Sequence, residues 1–249
     1  DVAARLPSIT DGGNATAMTI DSSENIGIGV TPTNFVNRKS LDIGLNGKIW
    51  SHVSANETGV GHNFYYDGAY KYISTAAASR NLYDGNGHTF QVAASGSADA
   101  AISWTTAMTI NTAGIVTTPK VPAFYVHAIS NSNSNGGTSG AGYLIFTNAS
   151  QNGSHYSTST GKFTAPVAGW YKLQTTFLAD DNYSVSGTVA INVNGSIKIR
   201  AYFQSTGSRY WSAVASGVVY MNANDYAQAN APVGIHVGAE TNFSGHLIG

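Results

Sequence analysis

Through the second half of the chain, apolar and polar residues alternate with a period of two. Val189, Ile191 and Val193 take every other position before Asn194-Gly195, and Ile197, Ile199, Ala201 and Phe203 do so after it, with Lys198, Arg200 and Tyr202 between them. An extended strand sends successive side chains to opposite faces, and Asn-Gly accepts the positive φ of a two-residue turn. The stretch therefore predicts a hairpin with one face in a core and the other toward water or a neighbour. Further strands are expected at residues 123–129, 210–221, 226–229 and 242–248, with 222–225 as a turn. Residues 155–173 read as a turn-rich lead-in, a short strand, a Pro-Gly corner and a longer aromatic strand. No segment has helical spacing, so eight to ten short strands of a sandwich or jelly roll are expected.

The first half alternates less cleanly. Two β-branched runs, 18–20 and 25–30, flank the turn Asp21-Ser22-Ser23-Glu24, and Ala-Met-Thr-Ile recurs ninety positions on, at Met108, again before a turn, a short strand and Thr-Pro. Two copies mark a module boundary and not a solenoid, which needs at least three. Between them strands are expected at 48–54, 62–66, 70–74 and 89–93, with turns at Asp67-Gly68 and at 84–87. Such imperfect alternation predicts a poor core for a single chain and strands that bury a face against symmetry mates. Residues 131–142, NSNSNGGTSGAG, are too polar and too Gly-rich to bury and read as an exposed loop.

Composition narrows the function. The 249 residues suffice for one large or two modest domains, with 42% hydrophobic and only 10% charged residues. A net charge of -1 with scattered Lys and Arg offers no basic stripe for nucleic acid. Cysteine is absent, which leaves the redox compartment open, and no apolar run is long enough to insert in a membrane. The polar start, DVAARLPSITDGGN, has no signal-peptide core, and the chain is expected to begin mid-protein, as a C-terminal fragment would.

Catalytic patterns are missing. Glu24, Glu57 and Glu240 stand alone, there is no Gly-x-Ser-x-Gly, and the seven histidines form no H-x-H or H-E-x-x-H pair. No cofactor is expected. Asp180-Asp181-Asn182 is the one dense set of oxygen ligands; it reads either as a solvated turn or as a calcium site built on Asp180 and Asp181, without the spacing of a self-contained calcium loop. Exposed aromatic and polar loop residues are the candidate receptor contacts: Asp180, Asp181 and Tyr183, then Arg209, Tyr210 and Trp211, and the 131–142 loop. Tyr210 and Trp211 have an equal reading as core, since they start a predicted strand. Phe163, Tyr171 and Phe243 are expected in the core, and Gly161, Gly169 and Gly245 at turns or close contacts.

Two stretches carry family resemblances. Met18 to Pro32, Met-Thr-Ile-Asp-x-x-x-Asn-Ile-Gly-Ile-Gly-Val-Thr-Pro, resembles the linker of bacteriophage tail fibres and host-recognition proteins, and residues 47–110 are similar to modules found between such linkers. Phe146, Asn152, Tyr156, Phe163, Gly169 and Tyr171, with the closing Phe243-Ser244-Gly245-His246-Leu247, resemble the signature of the complement C1q globular-head family, whose domains are tumour-necrosis-factor-like jelly rolls that assemble as trimers. Together these imply an all-β chain: a linker or stalk at 1–46, a β-rich fibre module at 47–121, partly intertwined in a homotrimer, and a C1q-like jelly-roll head at 122–249. The implied function is that of a phage tail-fibre tip, located on the virion, which binds a host cell-surface saccharide or protein as a non-enzymatic adhesin. A polysaccharide depolymerase with carboxylates converging from distant strands, and a purely structural spacer, are the alternatives.

Overall fold

The computed structural model describes residues 8–10, 16–129, 142–178, 186–204, 212–231 and 240–249, and all regular structure among them is β. The chain divides into two units, Asp1–Lys120 and Val121–Gly249.

The first unit is a ten-stranded sheet in the order β1-β2-β3-β4-β5-β6-β9-β10-β11-β12. Its strands are β1 (Ser8–Thr10), β2 (Thr16–Ile20), β3 (Ile26–Ile28), β4 (Arg38–Ile43), β5 (Gly47–His52), β6 (Glu57–His62), β9 (Ala76–Asp84), β10 (Gly87–Gly96), β11 (Thr105–Asn111) and β12 (Val116–Thr117), while β7 (Tyr65–Tyr66) and β8 (Tyr70–Lys71) pair separately. Within the large sheet only β3 and β4 run parallel. The two sequence copies fold alike. Asp21 Oδ1 accepts from the N–H groups of Ser23 and Asn25 at 2.8 and 2.9 Å, and Asn111 Oδ1 accepts from those of Ala113 and Ile115 at 3.0 and 2.9 Å.

This unit has a core of its own, contrary to the poor core expected from its alternation. Trp50 packs edge-on against Phe64 and Phe35, with ring centroids 5.1 and 5.8 Å apart, and Trp104 meets Phe64 at 5.4 Å. Arg38 lies over Tyr66 at 4.5 Å and Arg80 over Trp104 at 4.5 Å. Strands β1, β4, β6 and β9 lie outside the expected set. Here Arg38, Asp42, Lys48 and Arg80 point to the aromatic side. Asn63, at φ 63°, ends β6, so the strand expected at 62–66 is broken there, and its Nδ2 donates to the carbonyls of Ser74, Ala76 and Ala77.

The second unit is a sandwich of two antiparallel five-stranded sheets, β14-β13-β22-β17-β20 and β15-β16-β21-β18-β19. The strands are β13 (Ala123–Ile129), β14 (Phe146–Asn152), β15 (Tyr156–Ser157), β16 (Lys162–Thr164), β17 (Gly169–Leu178), β18 (Ser186–Val193), β19 (Ser196–Gln204), β20 (Ser212–Met221), β21 (Tyr226–Asn230) and β22 (Asn242–Leu247). Phe163, Tyr171 and Phe243 are wholly buried between the sheets, where Phe124 stacks on Phe163 at 4.4 Å and meets Phe243 edge-on at 4.9 Å. Gly245 is required in this layer: a Cβ there would stand 2.5 Å from Leu173 Cδ2 and 2.8 Å from Phe124 Cε1. Asn194 and Gly195, at φ 49° and 78°, make the expected hairpin turn. Ile197 departs from its expected core place and is half exposed, because the register shifts between Ile191 and Asn192.

Candidate functional site

Every expected contact residue lies outside the described residues: Asp180, Asp181, Tyr183, Arg209, Tyr210 and Trp211, and residues 131–141 of the polar segment. The strands that flank them are described, and their register locates the connections. Leu178 at the end of β17 pairs with Ser212 at the start of β20, and Ser186 at the start of β18 pairs with Gln204 at the end of β19. Phe177 and Phe203 stack at 5.1 Å across the two sheets, so these four strand ends meet at one end of the sandwich. Ile129, which closes β13, pairs with Phe146; two residues before it, His127 pairs with Asn242, itself the partner of Thr176 on β17. Asn230 pairs with Ala190, and the next residue, Ala231, donates its N–H to Gly142 O at 2.9 Å. The connections after residues 129, 178, 204 and 231 therefore all leave from the same end.

The opposite end is closed by short turns. Asp225 accepts from Asn194 Nδ2 at 2.7 Å and from the Asn222 N–H at 2.8 Å, and these donors hold its carboxyl below the usual range. The chain also enters this unit there, where Leu247 N–H donates to Pro122 O and Trp170 N–H to Gly249 O at 3.0 and 2.7 Å.

Two side surfaces of the sandwich stand out among the described residues. Edge strand β19 turns Lys198, Arg200 and Tyr202 outward in strict alternation, and Tyr202 is 72% exposed. Their alternation was legible in the sequence, but nothing there showed that β19 is an edge strand and therefore reachable from the side. On the other sheet, Trp170 and Tyr220 are cross-strand neighbours whose rings meet edge-on at 5.5 Å, and Val218 and Val214 continue the apolar line along β20. Beside them a depression of ≈ 440 Å³ is lined by Tyr125, Ser150, Ser244 and His246. No Asp or Glu stands on the outward positions of β13, β14, β17, β20 and β22.

Aromatic and cationic groups on an open strand can stack on and hydrogen-bond a ligand, but they do not assemble a reacting centre. Among the described residues no three His, Cys, Asp or Glu side chains converge as a metal site, and no helix is long and apolar enough to cross a membrane.

Comparison with known proteins gives one family. The model described as the C1q domain matches residues 123–248. No curated protein matches the chain. Among solved structures, the crystal structure of murine APRIL at pH 5.0 aligns at 11% identity with a TM-score of 0.41, covering 52% of this chain and 100% of that one.

Proposed function

Since this chain belongs to the C1q domain family, we propose that its head is a homotrimeric, non-enzymatic binding module that attaches to a cell-surface saccharide or protein. The observation that carries the reading is the gathering of four connections at one end of the sandwich, opposite the end where the chain enters. A scaffold that sends its longer connections to one pole concentrates variable polar and aromatic groups there. Residues 180–183 and 209–211 are proposed as receptor contacts on that pole, with calcium at Asp180 and Asp181 as the ion to test. Lys198, Arg200 and Tyr202 on the flank add a cationic and aromatic strip suited to an acidic sugar. The apolar line of Trp170, Tyr220, Val218 and Val214, with Lys172 beside Val218, supports self-association through that sheet.

In a trimer each site is presented three times. Weak single contacts, about millimolar, then gain 10²–10⁴-fold in avidity by effective concentration alone. On the resemblance of Met18–Pro32 to fibre linkers, the proposed setting is the tip of a bacteriophage tail fibre.

Sedimentation with and without chelator, followed by a fluorescent-protein fusion applied to candidate bacteria, tests this. A trimer that labels cells and leaves their glycans intact is expected, with labelling weakened at least tenfold by Arg200→Glu together with Tyr202→Ala. A stable monomer overturns the reading. Release of reducing ends from host polysaccharide would make the chain a depolymerase, and a trimer that labels no cell a structural spacer.

A further inference from the structure

The first unit has two faces, and the one turned away from its aromatic core is also apolar. Ile26, Leu41, Ile49 and Val60 are successive cross-strand neighbours on β3, β4, β5 and β6. Past Asn81 on β9 the row continues through Phe90 and Met108 on β10 and β11. A parallel row holds Ile28 and Ile43 at one side and Val92 at the other. These are outward positions: Ile28, Ile43, Ile49, Val60 and Val92 are between 42% and 47% exposed. Strand pairs that place Trp50, Arg38 and Lys48 on the core side put this set on the other, so no ring of the chain's own core covers it.

We infer that this sheet face is an interface with the same face of other copies of the chain, and the inference rests on the trimer proposed above. Six strand spacings of ~4.8 Å and two rows of side chains ~7 Å apart make the patch roughly 29 Å by 14 Å, on the order of 400 Å². That lies within the range for the largest apolar patch on a monomer, ~300–600 Å², a class of patch that is often functional, and is about half of the ~800 Å² each partner gives to a standard interface. The outward positions of β3 to β6 and β9 to β11 carry no Asp, Glu or Arg, and their ionisable groups, Lys39, His62, Tyr83 and His88, sit off the central row. A neutral apolar face has no sign to reject its own copy, whereas nothing on it matches a charged partner.

Asn81 is the polar break in the central row. Its Nδ2 donates to Tyr83 Oη at 2.9 Å, but its Oδ1 is buried without a hydrogen-bond partner.

The test uses the full chain. Because the chain has no cysteine, Val60→Cys and Ser54→Cys each carry a single thiol. Val60→Cys is expected to react with a maleimide at least tenfold more slowly than Ser54→Cys in the exposed turn. Ile49→Lys with Val60→Lys, which point to solvent in the single chain, are expected to leave circular dichroism unchanged and to weaken the trimer at least a hundredfold by sedimentation equilibrium. A trimer in which Val60→Cys reacts as fast as the control, or in which the double lysine variant associates as tightly as the parent, overturns this inference and leaves the trimer standing. A monomeric parent chain overturns both.

Discussion

Lys48 and Asp42 form an ion pair buried beneath the aromatic cluster, with side chains 0% and 4% exposed. Asp42 Oδ2 accepts from the Thr33 N–H and hydroxyl at 2.9 and 2.8 Å, and Lys48 Nζ lies 4.6 Å from the Phe35 ring centroid. Burial lowers the Lys48 pKa, and Asp42 works against that by favouring the ammonium. Asp42→Asn strands a charge in a dry site and is expected to cost about 3–5 kcal/mol in a denaturant titration. Changing both residues to apolar ones of similar size should recover most of that loss. In the second unit, Tyr156 Oη accepts from the Phe146 N–H at 3.1 Å, and burial, outweighing that bond, pushes the phenol up to about 12. Since the unfolded phenol titrates near 10, the native state is favoured fully below pH 10 and loses that preference as pH rises through about 12. Tyr156→Phe should cost about 1–3 kcal/mol at neutral pH by leaving the N–H unpaired, and should flatten the alkaline loss measured by unfolding at pH 9 to 12.

Among the elements, the two copies of Ala-Met-Thr-Ile end in the same turn, closed by Asp21 N–H to Asn25 O and by Asn111 N–H to Ile115 O, at 3.0 and 3.1 Å. The left-handed position falls on Glu24, at φ 64°, in one copy and on Gly114, at φ 78°, in the other. A side chain is strained there, and the Glu24–Lys39 pair is too exposed to offset much. Glu24→Gly is therefore expected to stabilise by about 0.5–1 kcal/mol, read as a rise in Tm, while Gly114→Glu should lower it. Gly245→Ala forces a methyl into Leu173 and Phe124 and should cost about 1–3 kcal/mol. The hairpin at 194–195, the turn at 222–225 and the buried Phe163, Tyr171 and Phe243 were all legible in the sequence, since each depends on local turn chemistry or period-two alternation. Strands β4 and β9 were not, because their inward charges Arg38, Asp42 and Arg80 are met by rings and by partners on other strands.

For the whole molecule, function rests on which surfaces stay uncovered. The second unit presents one pole of gathered connections, a cationic flank on β19 and an apolar line on the opposite sheet; the first presents an apolar sheet face. Trp170→Lys with Val218→Lys should weaken assembly through the head, in sedimentation, without unfolding it, because both side chains are about half exposed in the single chain.

By itself the sequence determined the class of fold: period-two alternation, Gly and Asn turns and the absence of helical spacing leave only β structure, and the aromatic spacing from Tyr156 to Tyr171 identifies the C1q-type head. Tertiary structure alone decided which faces those strands bury. Alternation says that a strand has two sides but not what lies against either. Only the register shows Arg38 and Lys48 turned toward Trp50 while Ile49 and Val60 look outward, and only the order of strands makes β19 an edge.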